Sequence, residues 1–543
     1  MRKLITTLTI FLLASVITVN AQPGGAAGGK GDAKKAKMYF EFDKNYKDAL
    51  TEYLKLLKDE PNNPEINYRI GLCYLYTNID KKKAYKYLEI MARQPKAPDE
   101  VYLELGRAYH IINRFDDAIK KYSEFIEIAR LRPAEVAKIN RYIEQCRIGK
   151  TLVASPVDVA FECLGKEVNS PFDDMFPFIT ADESYMTFTS RRNTVTGGFK
   201  DLDGTYASDI FSSLQTAGKW GKPKNLSSIV NTGYFEVGTS MAPDATNVIC
   251  YFSNETAQAD LYIISKKDKA KSFSKAVSLG AGVNMPKSLE MAGVISPDGN
   301  TLIFSSDRPG GKGGFDLYKS TKEGGEWSAP VNLGAPVNTD GDEDYPNFSP
   351  DGKKLYFASN SAKSMGGFDI FSASYNKATE GYDEPVNVGY PINTADDNQT
   401  ISFNQSGTVA YVSASREGGI GELDIWKITF KEPMLDVQKT KFKGVVTPAD
   451  KEFSITVTDK FTGKQIIKAI TEKGTGKYSL DLAPGRYIFK TEADGYITIT
   501  EEIPVLGKAT FKENIAKDIT MVEGVNPPPP PAGTKPGTPV KPK

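Results

Sequence analysis

Carboxylate side chains recur at matching positions in the middle of this 543-residue chain. They are Asp174, Glu236, Glu290 and Glu343, and they lie 62, 54 and 53 residues apart. Asn398 takes the equivalent place 55 residues further on. A period of this length indicates repeated structural units. If these units close into a circle, the acids should form a ring around its central channel.

Two interpretations of this acidic ring stay open. In the first, the carboxylates bind a cation or a basic peptide segment. In the second, they pair with Arg192, Arg308 and Arg416, which follow the next predicted strand at matching positions, and so satisfy buried polar groups.

Histidine chemistry is almost unavailable to this chain, because His110 is its only histidine. That removes the commonest general base and zinc ligand from nearly every position. No nucleophile elbow, HExxH or phosphate-binding loop occurs in the context that such motifs need, and the Gly-rich segment 310–314 lies between two predicted strands. We predict no catalytic residues, no cofactor and no metal; a glycosidase using two carboxylates is the enzymatic alternative.

Two acidic segments have the composition of calcium loops, TDGDED at 339–344 and DLDG at 201–204. Neither has the twelve-residue spacing with a terminal Glu, so calcium binding in these loops stays open. The four cysteines, Cys73, Cys146, Cys163 and Cys250, show no CxxC spacing, and buried free thiols are favoured over bridges.

Charge and hydropathy limit the partners. Lys plus Arg equals Asp plus Glu at 68 each, so the chain has no basic field for phosphates or anionic lipid, and we predict no nucleic-acid partner. After the N-terminus no stretch is apolar enough to span a bilayer, so no transmembrane span is expected in the mature chain.

The N-terminus has the pattern of an export signal. Residues 1–21 begin with Arg2 and Lys3, continue in an apolar run and end in a small-residue site at Ala21, which is typical of a Sec signal peptide. We therefore predict a protein exported to the periplasm. Residues 22–35, rich in Gly and Ala, are predicted to be a flexible leader.

A helical pattern repeats across residues 36–150. Ile70, Gly71 and Tyr74 return 35 residues later as Leu105, Gly106 and Tyr109. A small glycine lets two helices approach closely, and the pattern resembles tetratricopeptide repeats, here about three with a capping helix. Such a stack leaves a concave groove.

The repeat register places seven side chains in that groove. They are Glu65, Tyr68, Leu72, Leu75, Leu103, Arg107 and His110. Either a peptide or partner helix lies against them, or they contact the neighbouring domain.

Residues 151–432 are predicted to be all-β, since aromatic and β-branched runs alternate with turn residues. SPDGNTLIFSS at Ser296 returns as SPDGKKLYFAS at Ser349, and weaker copies begin near Thr180, Ala242 and Asn404. Five copies predict a β-propeller with five four-stranded blades, with six as the alternative.

Each copy has an Asp that opens a strand and an Asn that closes the copy. The Asp residues, expected to hold turns, are Asp209, Asp260, Asp316, Asp369 and Asp424, and the Asn residues are Asn231, Asn284, Asn338 and Asn393. The fifth copy lacks its closing LGxxVN, whereas an unattached LGKEVN ends at Asn169. The two ends should therefore meet, with an early strand completing the last blade. The longer first copy holds an insertion, 192–208, expected to be a loop.

The C-terminal part predicts two further segments. Residues 441–522 alternate period-two runs with turns, which predicts an antiparallel β-sandwich. Residues 523–543 are rich in proline and predict an extended polyproline-type tail.

The SPDG-strand-FDLY copies resemble the WD-repeat-like propellers of the TolB class. The last module resembles the carboxypeptidase regulatory-like fold in a set of spaced residues: Phe442, Gly444, Val446, Thr462, Gly463, Gly476, Tyr478, Gly485, Tyr487, Gly495 and Tyr496. The module order resembles PorE-like periplasmic proteins of the type IX secretion system, over nearly the whole mature chain. Those proteins carry a further OmpA-like domain that nothing in this sequence matches.

The resemblance implies a non-catalytic periplasmic scaffold or adaptor, associated with the outer membrane, that binds other envelope or secretion-machine proteins. The alternative is an envelope protein that binds glycan or peptidoglycan. It predicts exposed aromatic platforms.

Overall fold

The computed structural model describes residues 31–253, 259–266, 273–434, 439–459, 465–482, 485–505 and 514–525. The predicted signal peptide, most of the leader and nearly all of the proline-rich tail lie outside these residues. The chain divides into two compact units, one with the helices and the strands up to Phe430, the other with the strands from Thr440 onward. The predicted order, a helical region followed by antiparallel β-structure, is confirmed.

Among the described residues, seven α-helices precede the first strand. They are α1 (Ala33–Met38), α2 (Tyr46–Asp59), α3 (Pro64–Leu75), α4 (Ala84–Ala92), α5 (Glu100–Ile111), α6 (Phe115–Ile128) and α7 (Pro133–Ala154). Helix α1 begins inside the segment predicted to be a flexible leader, because the Asp32 side chain accepts hydrogen bonds from the backbone N–H groups of Lys34 and Lys35 and caps the helix. No helix among the described residues is long and apolar enough to cross a membrane.

Glycine allows close contact within the helix pairs α3–α4 and α5–α6. A Cβ added to Gly71 would lie 2.7 Å from the Leu88 side chain, and one added to Gly106 would lie 2.7 Å from the Tyr122 ring. Leu88 and Tyr122 are both fully buried in the helical core. Any larger residue at either glycine would therefore force the helices of its pair apart.

Between residues 159 and 430, the described part of the chain forms twenty-three strands in five sheets. In chain order they are β1 (Val159–Cys163); β2 (Asp174–Ile179), β3 (Tyr185–Ser190), β4 (Asp209–Thr216), β5 (Lys219–Trp220) and β6 (Lys224–Asn225); β7 (Phe235–Met241), β8 (Asn247–Ser253), β9 (Asp260–Ser265) and β10 (Val277–Ser278); β11 (Glu290–Ile295), β12 (Thr301–Ser306), β13 (Asp316–Glu323), β14 (Glu326–Trp327) and β15 (Val331–Asn332); β16 (Glu343–Phe348), β17 (Lys354–Ser359), β18 (Asp369–Asn376), β19 (Gly381–Tyr382) and β20 (Val386–Asn387); β21 (Ser402–Phe403), β22 (Val409–Ala414) and β23 (Asp424–Phe430).

These sheets are the five blades of a propeller. Blades 1 to 4 follow chain order, with β2–β6, β7–β10, β11–β15 and β16–β20. Blade 5 combines β21–β23 with β1, which pairs antiparallel with β23 so that Val159 faces Phe430 and Cys163 faces Trp426. The first and last strands of the region thus share one sheet and leave no open edge between them.

One asparagine per blade holds the turn that closes it. The Asn338 side chain accepts from the Leu317 N–H and donates to the Leu317 carbonyl, both at 2.9 Å. The same pair of bonds joins Asn231 to Ile210, Asn284 to Leu261, Asn393 to Ile370 and Asn169 to Ile425. The LGxxVN motif is therefore a structural clamp in every blade.

The second unit has two sheets around a core that includes Phe442, Phe453 and Phe489. Its strands are β24 (Thr440–Thr447), β25 (Ser454–Asp459), β26 (Gln465–Ile470), β27 (Lys477–Leu482), β28 (Gly485–Glu492), β29 (Ile499–Val505), β30 (Asn514–Ala516) and β31 (Ile519–Thr520). Most pairs are antiparallel, but β24 pairs parallel with β30 and β31, which the sequence did not predict. All four cysteines of the chain are free.

Candidate functional site

The four acids of the ring lie at or beside the first residue of β2, β7, β11 and β16. Each of these strands is an edge of its sheet, and β2 contacts β7, β7 contacts β11, and β11 contacts β16. All four carboxyl groups are fully buried, with no exposed surface. Nearby, the rings of Phe176 and Tyr345, from blades 1 and 4, stack with their centres 4.8 Å apart across the propeller.

Burial bears on one of the two interpretations of the ring. A basic peptide segment cannot reach Asp174, Glu236, Glu290 or Glu343 without opening the blades, since none of them has solvent-exposed surface. The four carboxyl groups therefore make their contacts inside the propeller.

Arginine pairs with two of the four acids. Arg192 donates to Asp174 at 2.6 Å, and Arg308 donates to Glu290 at 3.0 Å. Arg308 also donates to the carbonyl of Val283 in the preceding closing segment. At these two blades the arginine-pairing interpretation holds.

The other positions of the ring are neutralised differently. Glu343 accepts from the hydroxyl groups of Thr339 and Ser359 at 2.6 and 2.7 Å, and burial raises its pKa. In the fifth copy the acid is replaced by Asn398, and Arg416 donates to the carbonyl of Pro391 instead. Burial lowers the pKa of Arg416 to about 10.

Glu236 differs from its three counterparts. One carboxylate oxygen accepts from the Thr232 hydroxyl, and the other, Oε2, has no side-chain hydrogen-bond partner among the described residues. Burial raises the pKa of Glu236 to about 7, and the nearby charge of Asp209 acts in the same direction.

The recurring blade Asp residues hold turns, as predicted. Asp316 accepts from the backbone N–H groups of Lys312 and Gly313 at 2.5 and 3.0 Å, and so shapes the Gly-rich segment 310–314. Asp369 accepts from the Met365 N–H at 2.7 Å. Within the described ranges, no group of three or more His, Cys, Asp or Glu side chains is placed to hold a metal ion.

The helices contact the propeller, and His110, one of the predicted groove residues, lies at this contact. Leu72, Leu75, Leu103 and His110 are buried in a core that also contains Met365 from blade 4. His110 Nε2 lies 2.8 Å from the Met365 carbonyl oxygen. Burial lowers the pKa of His110 to about 4, so the ring is neutral and its Nε2–H donates this bond.

His110 therefore contacts the propeller of the same chain, which is the alternative that the sequence left open. Leu72, Leu75 and Leu103 are buried in the helical core. Of the other three residues, Tyr68 is partly buried and Arg107 pairs with Glu104 at 3.1 Å. Glu65 stays at the surface, where it pairs with Arg69 at 2.8 Å.

Polar residues that carry no motif complete the contact between helices and propeller. Gln145 in α7 donates to the carbonyls of Asn360 and Ser361 at 3.2 and 3.1 Å. Lys81 pairs with Asp396 at 2.7 Å, and Lys47 pairs with Glu422. Sequence reasoning missed all of these residues, because each occurs once and outside the repeats.

No protein-family model and no curated protein matches this chain. Among solved structures, putative TolB from Agrobacterium tumefaciens is 14% identical over 60% of this chain and 97% of that one, with a TM-score of 0.29. TolB from Acinetobacter baumannii is 14% identical over 55% of this chain and 71% of that one, at 0.32. An alpha-L-arabinofuranosidase from Podospora anserina is 12% identical over 50% and 93%, also at 0.32. Scores this low carry no argument about function, and the propeller is defined here by its strand pairing.

Proposed function

We propose that this protein is a non-catalytic periplasmic scaffold that binds protein partners in a secretion or envelope-assembly machine of the type IX class. The helices have the sequence pattern of tetratricopeptide repeats, but in this scaffold their inner face contacts the propeller. Partners bind the outer surfaces of the joined modules. The N-terminal export pattern and the order of modules support a place at the outer membrane.

The observation that carries the proposal is the contact between helices and propeller. His110 and Gln145 make buried hydrogen bonds to backbone carbonyls of blade 4, while Lys81 and Lys47 pair with propeller carboxylates around them. Such a contact joins two modules in one preformed body, which is what a scaffold needs to hold partners at fixed positions.

Site-specific photo-crosslinking in cells tests the proposal. A photo-reactive amino acid would replace Phe42, Glu65, Val331 or Val386, which lie at the surface of the helices, of blade 3 and of blade 4. If the protein is a scaffold, at least one of these positions should crosslink to one defined envelope protein in stoichiometric amount after irradiation. The same variants without irradiation are the control. If every position captures only murein or glycan, the scaffold is refuted.

The second candidate is a glycan- or peptidoglycan-binding envelope protein. One feature favours it: Tyr375 is 39% exposed and packs edge-to-face on Tyr382, with ring centres 5.6 Å apart, at the outer side of blade 4. Saturable binding of a purified polysaccharide that is lost in Tyr375→Ala would support this candidate.

A further inference from the structure

The loop between the second and third strands of blade 3 repeats the loop of blade 4 that contacts the helices. The two loops join strands at residues 306–316 and 359–369 and so have equal length. In both, the blade Asp accepts from a backbone N–H at the matching position, that of Lys312 at 2.5 Å and that of Met365 at 2.7 Å. The same hydrogen bond therefore fixes both turns.

In blade 4 this loop offers three backbone carbonyls to the helices. Gln145 in α7 donates to those of Asn360 and Ser361 at 3.2 and 3.1 Å. His110 in α5 donates to that of Met365 at 2.8 Å. A single loop thus binds two helices through polar side chains.

In blade 3 the matching carbonyls are those of Asp307, Arg308 and Lys312. Within the part of the chain that the structure describes, no group donates to them. Asp307 and Lys312 are exposed to solvent. These acceptors are therefore open to a partner that supplies donors.

The segment before β11 lies beside this loop. The Leu289 N–H donates to the Asp307 carboxylate at 2.7 Å, and the Asp307 N–H donates to the Leu289 carbonyl at 3.3 Å. Met285 is 39% exposed, and Lys287 is also exposed. We call the carbonyls of Asp307, Arg308 and Lys312, with the side chains of Met285, Lys287 and Lys312, the blade 3 dock.

The blade 3 dock differs in charge from the matching surface of blade 4. On blade 4, Asp340 before β16 pairs with Arg141 of α7 at 3.5 Å. The matching segment of blade 3 carries Lys287, and Lys312 takes the place of Met365 in the loop. Two exposed lysines attract acidic residues and repel basic ones, so the dock favours a partner that carries Asp or Glu.

Blades 3 and 4 are neighbours, so the dock continues the surface that α5 and α7 contact. We infer that the blade 3 dock binds a helix of a partner protein, which donates side-chain hydrogen bonds to its carbonyls and places Asp or Glu residues against Lys287 and Lys312. A second copy of this chain does not supply that helix, because its Gln145 and His110 are buried against its own blade 4. The inference rests on the proposed scaffold function and gives it one binding surface.

Photo-crosslinking followed by a binding measurement tests the dock. A photo-reactive amino acid replaces Lys312 in the full chain in cells, and mass spectrometry identifies the linked segment. We expect a single segment of one envelope protein, with Asp or Glu residues. A synthetic peptide of that sequence is then the probe in calorimetric titration of the purified mature chain, where it should bind with a stoichiometry of one and gain helical circular dichroism.

Charge reversal provides the decisive comparison. The double variant Lys287→Glu with Lys312→Glu should keep its thermal unfolding midpoint but bind the peptide about tenfold or more weakly, since like charges then face each other. The matched control is Lys377→Glu, which reverses an exposed lysine in the turn between β18 and β19 and should bind the peptide as the unaltered chain does. The two single variants give the same comparison if the double variant does not fold.

Equal affinity in the double variant and in Lys377→Glu would overturn the inference. A peptide that stays non-helical when bound would also overturn it, and so would a crosslink to a second copy of this chain. Failure of the dock is separable from failure of the scaffold. If Lys312 captures no protein while Phe42 or Glu65 in the helices captures one, the dock is refuted and the scaffold stands. If no position captures a protein, both are refuted.

Discussion

Replacing Gln145 with alanine tests how firmly the helices are joined to the propeller. Gln145 is 1% exposed, and its Nε2 donates to the carbonyl oxygens of Asn360 and Ser361. The substitution removes both donors, whereas alanine itself suits the interior of α7. Any loss of stability therefore comes from the contact with blade 4.

The expected loss follows from the two carbonyls left behind. The Ser361 carbonyl is in a buried bond, so leaving it without a donor costs about 1–3 kcal/mol. The bond to Asn360 is only partly buried, and its carbonyl can be rehydrated at a cost of about 0.5–1.5 kcal/mol. Together they predict a free energy of unfolding lower by about 2–4 kcal/mol.

Urea unfolding followed by far-UV circular dichroism measures this loss, and hydrogen exchange locates it in α7 and blade 4. The matched control is Glu144→Ala, one residue earlier, which removes only a surface pair with Arg147 and should cost at most about 1 kcal/mol. If Gln145→Ala is no more destabilising than Glu144→Ala, the buried contact with blade 4 is refuted.

Three further substitutions test the interior of the unit. Arg308→Met leaves Glu290 buried without a counter-charge and should lower the free energy of unfolding in urea by about 3–5 kcal/mol. Asn169→Ala removes both hydrogen bonds to Ile425 and should cost about 2–4 kcal/mol, with faster hydrogen exchange in β1 and β23. The lowered pKa of His110 means that the unfolded chain binds more protons than the folded chain between about pH 6.5 and 4. The stability linked to His110 is therefore fully present above pH 6.5 and is lost as the pH falls towards 4, and His110→Gln should flatten this dependence in urea unfolding at a series of pH values.

Exposed counterparts serve as controls for these experiments. Lys431→Met breaks a pair with Asp158 in which both side chains are 72% exposed, and should destabilise the protein far less than Arg308→Met does. Asn376→Ala removes an exposed amide and should leave the exchange of β1 and β23 unchanged. Equal losses in Lys431→Met and Arg308→Met would contradict the role of burial. A His110 ring that titrates near pH 6.5, followed by exchange of its C2 hydrogen, would contradict its placement under the propeller.

The propeller could be predicted from the sequence because the same hydrogen bonds hold each blade, so the residues that make them recur along the chain. Asn338 and Asn393 clamp Leu317 and Ile370 in the same way, so the same letters recur wherever the same bonds are needed. The lone LGKEVN before the first copy has an analogous cause, because Asn169 completes blade 5 from a distant part of the chain.

The contact between helices and propeller could not be predicted, because it depends on residues that occur once. His110 and Met365 are 255 residues apart, and no period relates them. The repeat register places His110 in the groove of the helices, but it does not predict which part of the protein contacts this side chain.

Zero-length carbodiimide crosslinking of the unaltered protein tests the central claim most directly, because it joins a lysine to a carboxylate only when the two are in contact. We expect mass spectrometry to recover amide links from Lys81 to Asp396 and from Lys47 to Glu422. The linked protein should still capture its partner. The pair Lys363–Glu384, within blade 4, is the internal standard for reaction. Recovery of Lys363–Glu384 without either link between helices and propeller, or loss of partner capture once those links form, would contradict a scaffold whose helices are closed on the propeller.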